Sequence, residues 1–327
     1  MLVHSAFSHD PVHALRRFLG ILGRWARWAL PAGVFVGVVL PDLAALLRPL
    51  LTAAVIGTLT SALLRLDWSH LAAAVRRPAL PATIAAWQLL ASPLLAWGAS
   101  ALVGLPPDLR LLLVLQAAAP PIGSAAVFAM ILGLDGVLAV VGTVATTLLL
   151  PVTLTPLVAL LLPGAGIEVD LAAFFARVTL LVLLPFALAW GLRRLIGVQR
   201  LARNDGVLGG LNVLLLVIFA IAVMDGVTAR LLRDPGFIGL LLAMACAATA
   251  ALHLAGYLLF RRAGIAAGYQ ATILSGNRNM GLMLVVTAGT AGEAFSLYVG
   301  VAQIPMYFAP LLLMPFLRRS LRGEPPR

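Results

Sequence analysis

Long apolar stretches alternate with short polar or charged segments along most of the chain. Each stretch is close to the ~20 residues that a helix needs to cross a bilayer. Cutting the chain at charge clusters and at proline or glycine breaks predicts an all-α polytopic membrane protein with ten transmembrane helices. The predicted spans are residues 25–41, 43–64, 78–103, 109–133, 136–162, 171–192, 206–227, 236–260, 265–290 and 296–317.

Two of these spans contain breaks that a simple membrane helix does not need. The fourth has Pro120 and Pro121 in mid-span, followed by Gly123, and the ninth has Gly276 and Gly281 around three polar residues. Proline removes a backbone donor, and glycine permits unwinding. Because unwound backbone at membrane depth is tolerated only inside protein or against water, we expect both breaks to be functional.

The positions of the breaks indicate an internal repeat. Each break lies in the fourth span of a five-span half, and halves with an odd number of spans insert in opposite orientations. This arrangement is typical of inverted-repeat secondary transporters, whose paired broken helices cross near the membrane midplane. The predicted divisions are a cytoplasmic tail (1–24), two five-helix repeats (25–162 and 163–317) and a second cytoplasmic tail (318–327).

Composition and charge agree with this class. The chain is 62% hydrophobic and 11% charged, with a mean hydropathy of +1.04. All basic residues are arginines, and seventeen fall on segments that are inside if the N-terminus is cytoplasmic, against five outside. The net charge of +11 therefore reflects positive-inside topology and contact with lipid headgroups, and no nucleic-acid partner is expected.

Arg278 lies within the second break, between two apolar runs. A permanent charge at membrane depth is costly and survives mainly where it lines a cavity or holds a partner. All twelve carboxylates of the chain can be placed in loops, tails or span ends, so Arg278 has no evident anionic partner in its own chain. We expect its five donors to satisfy backbone carbonyls at the crossing, to hold the anionic head of a substrate, or both.

Other chemistry has little support in the sequence. The single cysteine, Cys246, excludes a disulfide framework and a thiolate metal site. His253 is the one histidine within a span, and bonding to a neighbouring helix competes with a proton relay for its role. No span carries paired carboxylates or a metal-ligand cluster, so we expect no enzymatic activity.

Several segments resemble the bile acid:sodium symporter family of secondary transporters. Gln88 stands five residues before Pro93, as in the glutamine-proline pair of that family. The run 118–127 is similar to its proline- and glycine-rich crossover, and Asp135 with the later run 151–157 is similar to its fifth span. The run 276–281 lies where the family carries glycine-any-glutamine-asparagine-serine-glycine. Leu40-Pro41-Asp42-Leu43 and Thr58-Leu59-Thr60 add to the likeness.

The resemblance implies a core domain of helices 3–5 and 8–10, with helices 4 and 9 broken and crossing. A panel domain of helices 1, 2, 6 and 7 would move against it. The implied substrates are organic anions, from steroid conjugates to small carboxylates. We expect an integral protein of a bacterial-type inner membrane with both termini in the cytoplasm, and we leave a homo-oligomer open.

Sodium binding is where the chain departs from the family. The family's ninth-span glutamate becomes Leu274, its fourth-span serine and asparagine become Ala125 and Ala126, and a fifth-span hydroxyl becomes Ala139. Sodium requires oxygen ligands, and only Thr143 keeps one at these positions. We therefore expect no sodium ion, other metal or cofactor.

The candidate substrate-binding residues share a position at or beside the predicted crossing. They are Arg278, Asn277, Asn279, Ser275, Ser124, Gln88, Thr143 and Thr147. The predicted crossover backbone is Pro120, Pro121, Gly123, Gly276 and Gly281. Capping of unwound backbone and helix-helix bonding compete with substrate contact for the asparagines, serines and threonines. Thr146 has the same two possible roles as Thr143 and Thr147. Gln116 and Gln303 rank below these threonines, and Asn212 is a weak candidate for the cavity wall.

The sequence leaves three functions open. The first is sodium-independent transport of an organic anion by uniport, exchange or proton coupling. The second is a sodium symporter whose site is rebuilt from backbone carbonyls. The third is an anion receptor or a non-transporting relative, which the short cytoplasmic loops disfavour.

Overall fold

The computed structural model describes residues 11–66, 68, 79–123, 125–161 and 170–322, and these are almost entirely helical. The helices before residue 162 are α1 (Pro11–Arg24), α2 (Ala26–Val39), α3 (Pro41–Leu47), α4 (Leu51–Leu64), α5 (Ala79–Ala86), α6 (Ser92–Leu102), α7 (Pro107–Ala118), α8 (Ala125–Ile131) and α9 (Gly136–Leu161). A 3-10 turn at Arg48–Leu50 joins α3 to α4, and a π-helical stretch at Trp87–Ala91 joins α5 to α6.

The second half continues the pattern. Its helices are α10 (Leu171–Ile196), α11 (Val198–Arg203), α12 (Asp205–Ala222), α13 (Val227–Arg233), α14 (Pro235–Phe260), α15 (Ile265–Gly276), α16 (Met280–Val286) and α17 (Gly292–Arg322). Capping residues define both ends of α10. The Asp170 carboxylate accepts from two backbone N–H groups at the start of α10, and Gly197, with a φ of 87°, ends that helix.

Six helical segments of the described chain are long and apolar enough to cross a membrane. They are Pro41–Leu64, Pro81–Leu102, Gly136–Leu160, Leu171–Ile196, Asp205–Arg233 and Pro235–Ala263. The predicted fourth and ninth spans are absent from this set because each is divided into two short helices. The described residues therefore support a polytopic all-helical fold, while ten spans and their repeat stay a prediction.

Part of the predicted tail at 1–24 is helical, and α2 lies within the predicted first span at 25–41. Helix α1 already begins at Pro11, and only Trp25 interrupts the helical path into α2. Both helices pack along α12, where Gly210 leaves room for the backbone of Leu19. The interruption at Trp25 coincides with the predicted start of the first span, and the division between tail and span stays a prediction.

Two packed groups of helices face each other across the molecule. Helix α12 contacts α2 and α4, and α4 also contacts α10. Close approach of α2 to α12 depends on Gly37, because a Cβ there would lie 2.7 Å from the carbonyl oxygen of Ile221. In the other group α14 packs against α15 and α17, and α6 packs against α7. The broken segments α7–α8 and α15–α16 belong to this second group, and α16 also contacts α4 and α10 of the first group.

Candidate solute-binding site at two paired helix breaks

The two breaks predicted from proline and glycine are present, and they pair with each other. The backbone N–H of Ile122 donates to the carbonyl of Asn277 at 2.8 Å, and that of Asn279 donates to the carbonyl of Pro120 at 2.7 Å. Pro121 and Arg278 form an isolated antiparallel bridge between these bonds. Pro120 and Pro121 have no N–H to continue α7, so the chain leaves the helix and finds its partners across the break.

The buried side chain of Arg278 stabilises this pairing of the two breaks. Its side chain is fully buried, and Nε donates to the carbonyl of Ser275 at 2.6 Å. One terminal nitrogen donates to the carbonyl of Ala119 at 2.7 Å, and the other to the hydroxyl of Ser92 at 3.1 Å. One guanidinium therefore ties both breaks to the helix that starts at Ser92.

The charge of Arg278 is balanced by backbone dipoles. None of the carboxylates that the structure describes forms an ion pair with it. Ser275 lies in the last turn of α15, and Ala119 follows the last residue of α7. Helix C-termini carry partial negative charge on carbonyls that no helical N–H satisfies. The guanidinium occupies the place where two such ends converge.

Ser92 was not predicted from the sequence. Its hydroxyl accepts from Arg278, and its oxygen also lies 2.9 Å from the carbonyl of Ala117 and 3.0 Å from that of Gln88. The hydroxyl thereby connects the guanidinium to the end of α7 as a second contact. The only sequence signal was its place directly before Pro93, and a serine there has many other uses.

The positions expected to have lost sodium ligands do not fit a sodium ion. Ala125, Ala139 and Leu274 are fully buried together in one apolar cluster. Two carbonyls that could have served as ligands, those of Ser275 and Ala119, already accept from Arg278. A hard cation needs several oxygen ligands, and the described residues leave too few here. The side chain of Ala126 lies outside the described part of the structure.

A small cavity borders the paired breaks on the side facing α4 and α12. We call it the break cavity; its volume is about 40 Å³. Its lining includes both breaks, the two facing helices and α17: Val55, Thr58, Leu59, Ala62, Ile122, Gly123, Asn212, Leu216, Phe219, Asn279, Met280, Gly281, Gln303, Met306 and Tyr307. No charged side chain is among them, and Arg278 lies beyond the paired backbone.

A second cavity continues from the first. This threonine cavity, of about 80 Å³, shares Leu59, Ala62 and Gly123 with the break cavity and is also lined by Thr143 and Thr147. Both hydroxyls donate to carbonyls of their own helix, at 2.9 and 2.7 Å, which leaves their oxygens able to accept. The two cavities form a path along α4 beside the breaks.

The other predicted site residues are divided between this path and the protein interior. Asn279 lines the break cavity and caps α16, because its Oδ1 accepts from the N–H of Leu282. Asn277 instead lines a pocket of about 10 Å³ with His253. Ser275 is buried and accepts from Trp87.

Two predicted residues remain without a defined role. Gln88 is fully buried, lines neither cavity, and has no hydrogen-bond partner for its side-chain amide among the described residues. Ser124 lies outside the described residues. Thr58, which the sequence places in a polar turn, and Asn212, a weak candidate from the sequence, both line the break cavity.

A larger cavity is separate from this path. It has a volume of about 690 Å³ and shares no lining residue with the break cavity. Arg48 and Asp225 line it and form an ion pair at 2.6 Å. Leu284 and Val285 near the end of α16 also line it, so α16 extends from the break cavity to this one.

Comparison with known proteins gives one family. The profile of the Sodium Bile acid symporter family matches residues 52–233, which is more than half of the chain. A search of curated proteins finds no match. The match covers the first break and α12, while Arg278 lies beyond its end.

Proposed function

Because the chain belongs to the sodium bile acid symporter family, a family of transporters, we propose that it carries a small organic anion across a membrane. In this proposal it is an integral membrane protein that works by alternating access without a sodium ion. Arg278 is the fixed cation of its binding region.

The position of Arg278 is the observation that carries the proposal. A guanidinium held at two converging helix ends places a permanent positive charge beside a cavity whose lining carries no charge. Electrostatic attraction is weakly screened inside a protein, so the charge acts on an anion in the cavity without touching it. Direct contact between Arg278 and the substrate would require the paired breaks to open.

Sodium independence follows from the same geometry. The sites expected for ion ligands hold buried apolar side chains, and Arg278 satisfies the carbonyls that a cation would neutralise. A covalently attached cation cannot leave with the substrate. Transport is therefore uniport or exchange in this proposal, and no sodium gradient drives it.

The proposed topology has ten transmembrane helices in two inverted repeats with both termini in the cytoplasm of a bacterial-type inner membrane. The proposed panel helices are α1–α2, α3–α4, α10 and α12–α13, and the proposed core contains the two breaks. The break cavity is consistent with this division, because α4 and α12 line it on one side and both breaks on the other.

Transport into reconstituted vesicles tests the proposal. Radiolabelled carboxylates and bile acids are offered with sodium fully replaced by choline, and uptake is compared with protein-free vesicles. We expect saturable uptake of at least one anion, at the same rate in sodium medium as in choline medium. Strong stimulation by sodium would refute the fixed-cation mechanism, and ligand binding without any movement would favour a receptor.

A further inference from the structure

Two residues that line the break cavity each carry a buried polar atom without a hydrogen-bond partner among the described residues. The atoms are Oγ1 of Thr58, on α4, and Oδ1 of Asn212, on α12. Both atoms are buried, and they come from two different helices that line the same space. Their convergence on one cavity distinguishes them from a single unpaired group in a protein interior.

The hydroxyl of Thr58 differs from those of other threonines near the two cavities. Thr60, on the same helix, donates to the carbonyl of Ile56 four residues earlier, as Thr143 and Thr147 do on α9. This local bond is available to any threonine in a helix. Thr58 does not use it, so its hydroxyl stays available to a ligand in the cavity.

A buried polar group without a partner keeps the full cost of its lost hydration. A ligand that supplies a hydrogen bond to both atoms recovers this cost, whereas an apolar ligand leaves it in place. The hydroxyl of Thr58 both donates and accepts, and Oδ1 of Asn212 accepts. A hydroxyl group of the ligand matches this pair, since it also donates and accepts.

We infer that Thr58 and Asn212 select a substrate that carries a hydroxyl group, and that the substrate class is a small hydroxycarboxylate. The inference rests on the proposed function, because the carboxylate is assigned to the attraction of Arg278. Cavities of about 40 and 80 Å³ favour a small molecule, since sites for drug-sized ligands measure roughly 300–1,000 Å³.

Matched pairs of carboxylates that differ by one hydroxyl test the inference. The probes are glycolate with acetate, lactate with propionate, and malate with succinate, in vesicles that contain choline as the only added cation. Competition against one labelled probe gives the relative affinity of each pair. We expect the hydroxylated member of at least one pair to bind roughly 10–100-fold more tightly.

Three variants assign the preference to its residues. Thr58→Val keeps the shape of the side chain and removes the hydroxyl, and Asn212→Leu removes the amide. Each is expected to reduce the hydroxyl preference roughly tenfold, with a smaller effect on the non-hydroxylated partner. Thr179→Val is the matched control, because the hydroxyl of Thr179 is also buried without a partner but lines neither cavity.

The outcomes separate the inference from the proposed function. Equal affinity within every pair overturns the inference while anion transport stands. The same conclusion follows if Thr58→Val and Asn212→Leu keep the full preference, or if Thr179→Val loses it equally. If purified, monodisperse protein neither binds nor moves any carboxylate in either salt, both proposals fail.

Discussion

Replacing Arg278 with glutamine removes the fixed charge and most of its hydrogen bonds. Glutamine is shorter and has one amide group in place of a five-donor fork. It can bond at most part of the set that now contains the carbonyls of Ser275 and Ala119 and the hydroxyl of Ser92. The breaks themselves would remain, since proline and glycine cause them.

The expected loss of stability follows from the backbone carbonyls that would lose their donor. Two carbonyls lose a charged donor in a region where the guanidinium is fully buried. Each unsatisfied buried acceptor costs about 1–3 kcal/mol, so we expect a destabilisation of about 2–6 kcal/mol. For a chain of 327 residues such a loss lowers Tm by roughly 3–9 °C. Anion affinity is expected to fall as well, because the positive charge assigned to the binding region is lost.

Thermal unfolding in detergent, followed by tryptophan fluorescence, measures the first effect, and equilibrium binding of the best anion measures the second. Arg193→Gln is the matched control. Its guanidinium also donates to two carbonyls, those of Leu64 and Leu66, but it is only partly buried. Lipid headgroups and water can replace it, so we expect a loss of about 1 kcal/mol or less.

Stability and anion affinity together distinguish a structural role of Arg278 from a role in binding. If Arg278→Gln unfolds at the wild-type temperature, the guanidinium does not stabilise the paired breaks. If the variant is less stable but binds the anion with unchanged affinity, the arginine has a structural role alone. Loss of affinity at a temperature where the variant is still folded is the result expected of a fixed cation.

Two further predictions concern the same region. Replacing sodium with potassium or choline should change Tm by no more than about 1 °C, because an ion stabilises a protein only by binding its folded state; a concentration-dependent rise with sodium alone would show a cation site. Gly276→Ala should destabilise by about 1–3 kcal/mol, because a Cβ would overlap the ring of His253, which Thr249 holds through a 2.7 Å hydrogen bond. Gly191→Ala, where a Cβ meets no atom within 4 Å, should be neutral or slightly stabilising, and equal Tm values for the two variants would contradict this packing.

The breaks were predictable because their cause is local. Pro120, Pro121 and the glycines of the second break interrupt helices through their own backbone chemistry, and apolar length defines most helix positions. The start of the first helix was not predictable in the same way. It depends on packing against α12, which involves residues nearly two hundred positions later.

The site was less predictable than the fold. The sequence identified Arg278 as a candidate because a buried charge is costly at membrane depth, and Asn279 because it lies in the second break. Sequence reasoning could not tell that Ser92 would bond the guanidinium or that Thr58 would keep a free hydroxyl. Serines and threonines are common in membrane helices, and only the three-dimensional path of each helix decides which of them bond a carbonyl and which face a cavity.

A fixed cation changes the energetics of transport as well as the binding site. A coupled sodium ion moves with its substrate and adds both its gradient and its charge to the driving force. Arg278 attracts an anion but stays in place, so a monovalent anion would cross as a net negative charge. Each 100 mV of membrane potential, negative inside, opposes its entry by about 2.3 kcal/mol. Uniport under this mechanism would therefore favour export, and net uptake would require exchange for another anion.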